Sequence, residues 1–219
     1  MAVQPQVSNM HEALTYDFDS VTPDAVIVTL RWDRVAVPFK VSVDQKQVVP
    51  AKLKLQMRAW SRWMWDGWDE AAQTLLKYKV DLNDALQYAE ESIKVEKRFD
   101  NLMTKADVLD ALGRKSDAAP LRAEAMPLGN AFQLNAYGRQ LQREGRQEEA
   151  FAVFLTNAKR NPGHFIVHYE QARMLCAKGD FNSAINEMQL AVAGSTPDSK
   201  PFLEGLMKRL RAQEDINKN

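Results

Sequence analysis

The sequence predicts a mainly α fold: an α-solenoid of about four helix pairs with flanking helices, preceded by a short antiparallel β-meander. Three observations predict it. Apolar residues alternate with period two near the N-terminus, and from about Val48 onward they recur at spacings of three and four. Small residues in the helical part then repeat at a nearly constant interval. The change of period divides the 219 residues into a β-meander over 1–45 and a helical repeat domain over 46–219.

The β part holds three alternating runs. Leu14, Tyr16 and Phe18 form the first, Val26, Val28, Leu30 and Trp32 the second, and Val35, Val37, Phe39, Val41 and Val43 the third. Period two in β-branched and aromatic residues marks strands with one buried face. Thr22-Pro23-Asp24 and Asp33-Arg34 supply the turns, giving three antiparallel strands. Pro38 has no N–H for a ladder, so the third strand is expected at an edge or bulged there.

Pro50 suits the first turn of a leading helix. Ala85, Ala118, Ala150 and Ala184 then follow one another at intervals of 33, 32 and 34 residues. Gly113, Gly145 and Gly179 precede the last three by five residues each, and Asp81 to Ala85 plays this part without glycine. A glycine ends one helix and turns the chain. A small residue in the next helix lets the two helices approach. A final helix over about Asp198 to Ala212 would cap the array, with Phe202, Leu203, Leu206 and Leu210 inward and Lys208, Arg209 and Arg211 outward. The polar tail Glu214 to Asn219 is expected to fray.

These residues resemble the tetratricopeptide repeat. From Ala131, the residues Gly138, Gly145, Ala150, Phe154 and Pro162 fall on the family's small, glycine, alanine, aromatic and proline positions. From Phe165, Ala172, Gly179, Phe181, Ala184, Met188 and Ala191 match, with Pro197 one residue late. From Phe99, Ala106, Leu109, Gly113, Ala118 and Ala125 match, and a copy from about Asp66 supplies Leu76, Ala85 and Ala89. Leu134 and His168 stand where the family carries tryptophan. The chain as a whole also looks like a bacterial family in which a β-rich domain of unknown function precedes such repeats. Leu30-Arg31-Trp32-Asp33, the run Val35 to Val43 and the tryptophan-rich helix start carry that likeness. It implies an exported protein, periplasmic or secreted, of which residues 1–45 are the remnant of a larger β-domain. The start of the chain lacks a basic region and an apolar stretch of signal-peptide type, so a cytoplasmic location is the alternative.

Composition argues against several functions. Lys plus Arg and Asp plus Glu both total 29, so no basic excess for nucleic acid is visible. No apolar run approaches the ~20 residues that span a bilayer. Cys176 is the single cysteine, so no intrachain disulfide forms, and no motif gives it a partner histidine. His164 and His168 have the i, i+4 spacing of two ligands on one helix face, but the HExxH glutamate and a third ligand are missing. Asp17, Asp19 and Asp24 lack the glycine and closing glutamate of a calcium loop and read as a solvated strand edge. Glu90-Glu91 and Glu148-Glu149 point about 100° apart on a helix and do not cooperate. No nucleotide-binding or nucleophile-elbow motif occurs. The expectation is a non-enzyme with no cofactor and no metal.

Two regions remain as interaction surfaces. Trp60, Trp63, Trp65 and Trp68, with Met57 and Met64, are either an aromatic ligand platform or a plug over the open end of the first repeat. The plug is the expectation, since tryptophan buries large areas. The other region is the concave face that the tetratricopeptide resemblance implies. It maps to Phe132, Asn135, Arg139, Gln142 and Arg143 in one copy, and to Ile166, Tyr169, Arg173 and Cys176 in the next. Arg139, Arg143 and Arg173 would form a basic wall suited to carboxylates. Asp100, Met103, Asp107 and Asp110 of the preceding copy would make an acidic end. A protein or peptide partner is the implied ligand, unless these charges only keep the face wet. The alternative function is structural support for the adjacent β-rich domain. A truncated sheet would expose an edge, through which Val35 to Val43 could form a dimer.

Overall fold

The structure, a computed structural model, describes residues 3–217. Two long strands, β1 (Gln6–Val21) and β2 (Ala25–Ser42), form one antiparallel hairpin. Its turn is the expected one: the Thr22 amide donates to the Ala25 carbonyl at 2.8 Å and the Thr22 hydroxyl to Asp24 at 2.9 Å. The expected turn at Asp33-Arg34 is present inside the β2 range: the Val43 amide donates to the Asp24 carbonyl at 2.8 Å, so the chain between them doubles back about that pair. Asp33 takes the left-handed conformation there, with a φ of 52°, opposite His11, where the ladder with β1 slips register. Aspartate tolerates that conformation, which suits a tight reversal. The second and third runs are therefore two arms of β2 that lie side by side. Pro38 lies in the second arm, beyond Ala36, the last residue of β2 that pairs with β1.

The alternation does not bury one face as expected. Val7, Phe18 and Trp32 are exposed, while Thr29 and Ala36 are the residues buried in the hairpin. Polar contacts along one face include Arg31, whose guanidinium bridges Asp17 at 2.6 Å and Asp19 at 2.7 Å.

Ten α-helices follow among the described residues: α1 (Gln45–Gln56), α2 (Trp65–Tyr78), α3 (Leu82–Val95), α4 (Phe99–Ala111), α5 (Lys115–Ala125), α6 (Ala131–Arg143), α7 (Gln147–Arg160), α8 (Phe165–Ala177), α9 (Phe181–Gly194) and α10 (Lys200–Arg211). Asp44 caps α1 by accepting from the Lys46 amide at 3.0 Å, so the leading helix starts before Pro50 rather than at it. The chain forms two compact units, one up to Val95 and one from Glu96. The first holds the hairpin and α1 to α3, and the second holds α4 to α10.

Helices pair as α2/α3, α4/α5, α6/α7 and α8/α9, with α10 against α9. One turn recurs in the pairs of the second unit. Gly113, Gly145 and Gly179 have φ of 78°, 78° and 80°. Behind them the amides of Arg114, Arg146 and Asp180 reach back to the carbonyls of Leu109, Leu141 and Leu175 at 2.8, 2.9 and 3.0 Å. That six-to-one bond and left-handed residue close the first helix of each pair. In α2/α3 of the first unit Lys79 takes the glycine's place, with φ of 53°, and the Val80 amide reaches the Leu75 carbonyl at 3.1 Å. Ala85, Ala118, Ala150 and Ala184 are all fully buried, as the repeat requires. The closest approach is at Gly138, where an added Cβ would stand only 2.3 Å from the Phe154 ring.

The capping helix buries Leu203, Leu206 and Leu210, but Phe202 is exposed rather than inward. The tail corrects a second expectation. Glu214 to Asn217 does not fray; Ile216 is only 3% exposed and joins the core cluster of Tyr169, Cys176 and Leu210, and the rest of the expected tail, residues 218–219, lies outside the described residues. The tryptophans divide: Trp60 and Trp63 are exposed, whereas Trp68 is half-buried against Tyr88 and donates to the Arg62 carbonyl at 2.7 Å. A four-tryptophan plug is therefore not what the side chains form. Among the described residues, no helix is long and apolar enough to cross a membrane.

Candidate functional site

Two first helices of successive pairs, α6 and α8, hold the residues singled out in the sequence. Asn130 caps α6: its side chain accepts from the Phe132 and Gln133 amides at 3.0 Å each, and Gln133 accepts from the Asn130 amide at 2.9 Å. His164 caps α8 by accepting from the Ile166 amide at 3.2 Å. These caps fix where each helix begins. In α6, Ala131, Leu134, Tyr137, Gly138 and Leu141 are buried, which leaves Asn135, Arg139 and Gln142 half-buried beside them.

The structure brings four of the candidate residues, Arg139, Gln142, Tyr169 and Arg173, into one polar network and places Asn135 in a second. Arg139 Nη1 donates to Gln142 Oε1 at 2.8 Å, and Arg173 Nε donates to the same oxygen at 3.2 Å. Arg173 Nη1 donates to the Tyr169 hydroxyl at 3.2 Å and to the Ile216 carbonyl at 2.9 Å. Asn135 donates to Glu170 Oε1 at 3.0 Å, and Asn157 of α7 donates to it at 2.8 Å. Phe132 stands exposed at the start of α6, edge-on to His164 and Phe165. Arg143 is exposed at the end of the same helix.

The basic wall is not continuous. Arg173 is 1% exposed, under the tail, and so is not a surface charge. Burial, with Arg139 nearby, lowers its pKa from the ordinary arginine value. Among the described residues, its Nη2 has no hydrogen-bond partner. Glu170 is fully buried, and its Oε2 is likewise without a partner among them. Burial pushes the Glu170 carboxyl up to about 8, against the two amide donors that pull it down. Around neutral pH this carboxyl is therefore largely protonated.

The carboxylates of the acidic end are engaged within the chain. Asp100 accepts from Gln133 at 2.8 and 3.0 Å, and Asp107 and Asp110 both pair with Arg122 of α5, at 2.6 and 2.8 Å. Met103 is buried. The two histidines serve separate partners: beyond the cap made by His164, His168 Nδ1 lies 2.7 Å from Glu187 Oε2. Among the described residues, no group of three His, Cys, Asp or Glu side chains is placed to hold a metal ion.

Sequence reasoning missed Glu170, Asn157 and the segment Glu214 to Asn217. Glu170 and Arg173 form an opposite-charge i, i+3 pair inside an apolar helix, which was a readable sign of buried polar structure. Nothing in the tail's composition marked it as docked, because one isoleucine among polar residues carries no period. Compared with known proteins, the chain matches no family model and no curated protein.

Proposed function

We propose that this chain is a non-enzymatic interaction module of tetratricopeptide-like type, which binds a protein or peptide on the face of α6 and α8. One observation carries the reading. The side chains on that face are tied into two sets of cross-helix polar contacts, flanked by the exposed Phe132 and Arg143. A pre-set polar surface beside an aromatic anchor is what peptide recognition needs, because little side-chain entropy remains to be lost on binding. The recurring turn and the close Gly138–Phe154 approach support the tetratricopeptide likeness. The likeness to a β-domain-plus-repeats family, and with it export to the periplasm, belongs to the same proposal.

A second reading has its own observation. The β ribbon leaves Val7, Phe18 and Trp32 exposed. A small sheet whose apolar side chains find no cover is marginal in water. Such a ribbon fits a part of a larger sheet that the helices support, or one that pairs with a second copy.

The test uses capture from native cell fractions with the full chain and its Arg139→Glu/Arg143→Glu variant as baits. Both baits are checked by circular dichroism, and each candidate is then rebound as a purified protein. A purified partner that binds the native chain and loses at least about tenfold in affinity with the variant, roughly 1.4 kcal/mol, supports the face. Partners that bind both baits equally overturn it and favour the supporting role.

A further inference from the structure

The segment after α10 occupies the face just described. Gln213, with a φ of 56°, turns the chain, and Arg209 holds the next residues by donating to Glu214 Oε2 at 3.3 Å and to the Asp215 carbonyl at 2.9 Å. Three kinds of contact then follow. The Ile216 carbonyl accepts from Arg173 Nη1 at 2.9 Å. The Ile216 side chain is buried among Tyr169, Cys176 and Leu210. Asn217 clasps both helices, donating to the Arg173 carbonyl at 3.1 Å and accepting from Gln142 Nε2 at 3.2 Å. Asp215 stiffens the turn: its carboxylate accepts from the Asn217 amide at 2.9 Å and from the Cys176 thiol at 3.6 Å.

A main-chain acceptor on an arginine, an aliphatic side chain in a socket and an amide clasp are the contacts by which a groove holds an extended peptide. We propose that the α6/α8 face is a binding site for an extended acidic–aliphatic–amide segment of a partner protein, and that Asp215–Asn217 is its internal, displaceable occupant. The proposal rests on the interaction-module reading above and names the ligand chemistry of that same site.

Two features make the occupant displaceable. Among the described residues, only a short stretch is seated, beyond an exposed turn at residues 211–214. The fit is also incomplete, because Arg173 Nη2 stays buried with no partner among the described residues. A buried donor left unpaired disfavours the docked state, so an incoming segment with one more acceptor there competes well. The partner segment thus carries an aspartate before its aliphatic residue and an amide or acid after it.

The experiment is fluorescence anisotropy with a labelled peptide of the sequence Gln213–Asn217. It is titrated with the full chain, with Ile216→Ser/Asn217→Ala, and with that variant carrying Gln142→Ala as well. Circular dichroism is recorded on each. Releasing the internal segment should tighten apparent binding about tenfold or more, since a site closed nine-tenths of the time loses roughly that factor. Adding Gln142→Ala, or placing serine for isoleucine in the peptide, should reverse the gain. If the released variant stays helical and binds no better than the native chain, the segment is a fixed cap and the proposal fails. It fails also if the variant loses its helical signal, or if Gln142→Ala leaves binding unchanged. This assay uses purified chain and peptide only, so its failure is separable from a failure to find a partner sensitive to Arg139→Glu/Arg143→Glu.

Discussion

The hairpin and the helix pairs of the second unit follow equally regular apolar patterns, yet they bury their apolar residues to very different extents. In the hairpin, Val7 is 94% exposed and Phe18 is 70% exposed. In the helix pairs, Leu134, Phe154, Met188 and Leu210 are fully buried. A helix finds cover in the next helix along the chain, so its pattern is fulfilled locally. A small sheet covers no face of its own; alternation sets which side could be buried, and only another layer buries it.

Mutations can sharpen or break this comparison. The largest effect is expected at Gly138, where the helices touch. Gly138→Val should cost about 3 kcal/mol or more by overpacking against Phe154, seen as a fall in the denaturant midpoint with helicity lost at lower concentration. A midpoint within experimental error of the native one would mean that the α6/α7 approach is looser than described.

Glu170 gives the next effect, and it is one of pH. Its folded-state pKa, about 8, lies above the unfolded value near 4.5, so the folded chain binds the extra proton between those limits. Stability linked to this carboxyl is fully present below about pH 4.5 and is lost as pH rises towards 8, by an amount on the order of a few kcal/mol. Glu170→Gln should keep an acceptor for Asn135 and Asn157 and remove that loss. Its advantage over the native chain should grow from pH 5 to about 8 and then level off, in parallel denaturation curves. An advantage independent of pH would rule out the protonation argument.

Turns give a smaller contrast. Gly145→Ala forces a side chain into a φ of 78° and should cost about 1 kcal/mol. Asp33→Gly relieves the same conformation in the hairpin and should leave stability unchanged or slightly higher. The smallest effect belongs to the exposed face: Val7→Ser should stay within about 0.5 kcal/mol by thermal melting. A marked loss there would show that the hairpin is covered in solution, by a second copy or by another sheet, and sedimentation velocity would tell which.

The same contrast explains what was legible in the sequence. The helix pairs were readable because glycine, alanine and aromatic positions recur, and each has a local cause: a left-handed turn, a close approach, a filled gap. The hairpin's first turn was readable from Thr22-Pro23-Asp24. Asp33-Arg34 was readable for a similar reason, since aspartate accepts the left-handed conformation that a tight reversal needs. At the candidate site, the sequence pointed to Asn135, Arg139, Tyr169 and Arg173 as one exposed face. Arg173 is buried instead, because the repeat pattern has no place for a tail that returns across the array. Glu170 was signalled only by its spacing from Arg173 in an apolar helix; its partners Asn135 and Asn157 lie on other helices, at separations that no motif encodes.

The seat of Cys176 has one more consequence. This thiol is the only one in the chain, is 4% exposed, and lies under Glu214 and Asp215. Burial raises its pKa above the ordinary thiol value, so the reactive thiolate is scarce while the segment stays in place. The rate at which a thiol reagent modifies the unaltered protein therefore clocks how often the segment lifts away, and the chain carries its own reporter of that opening.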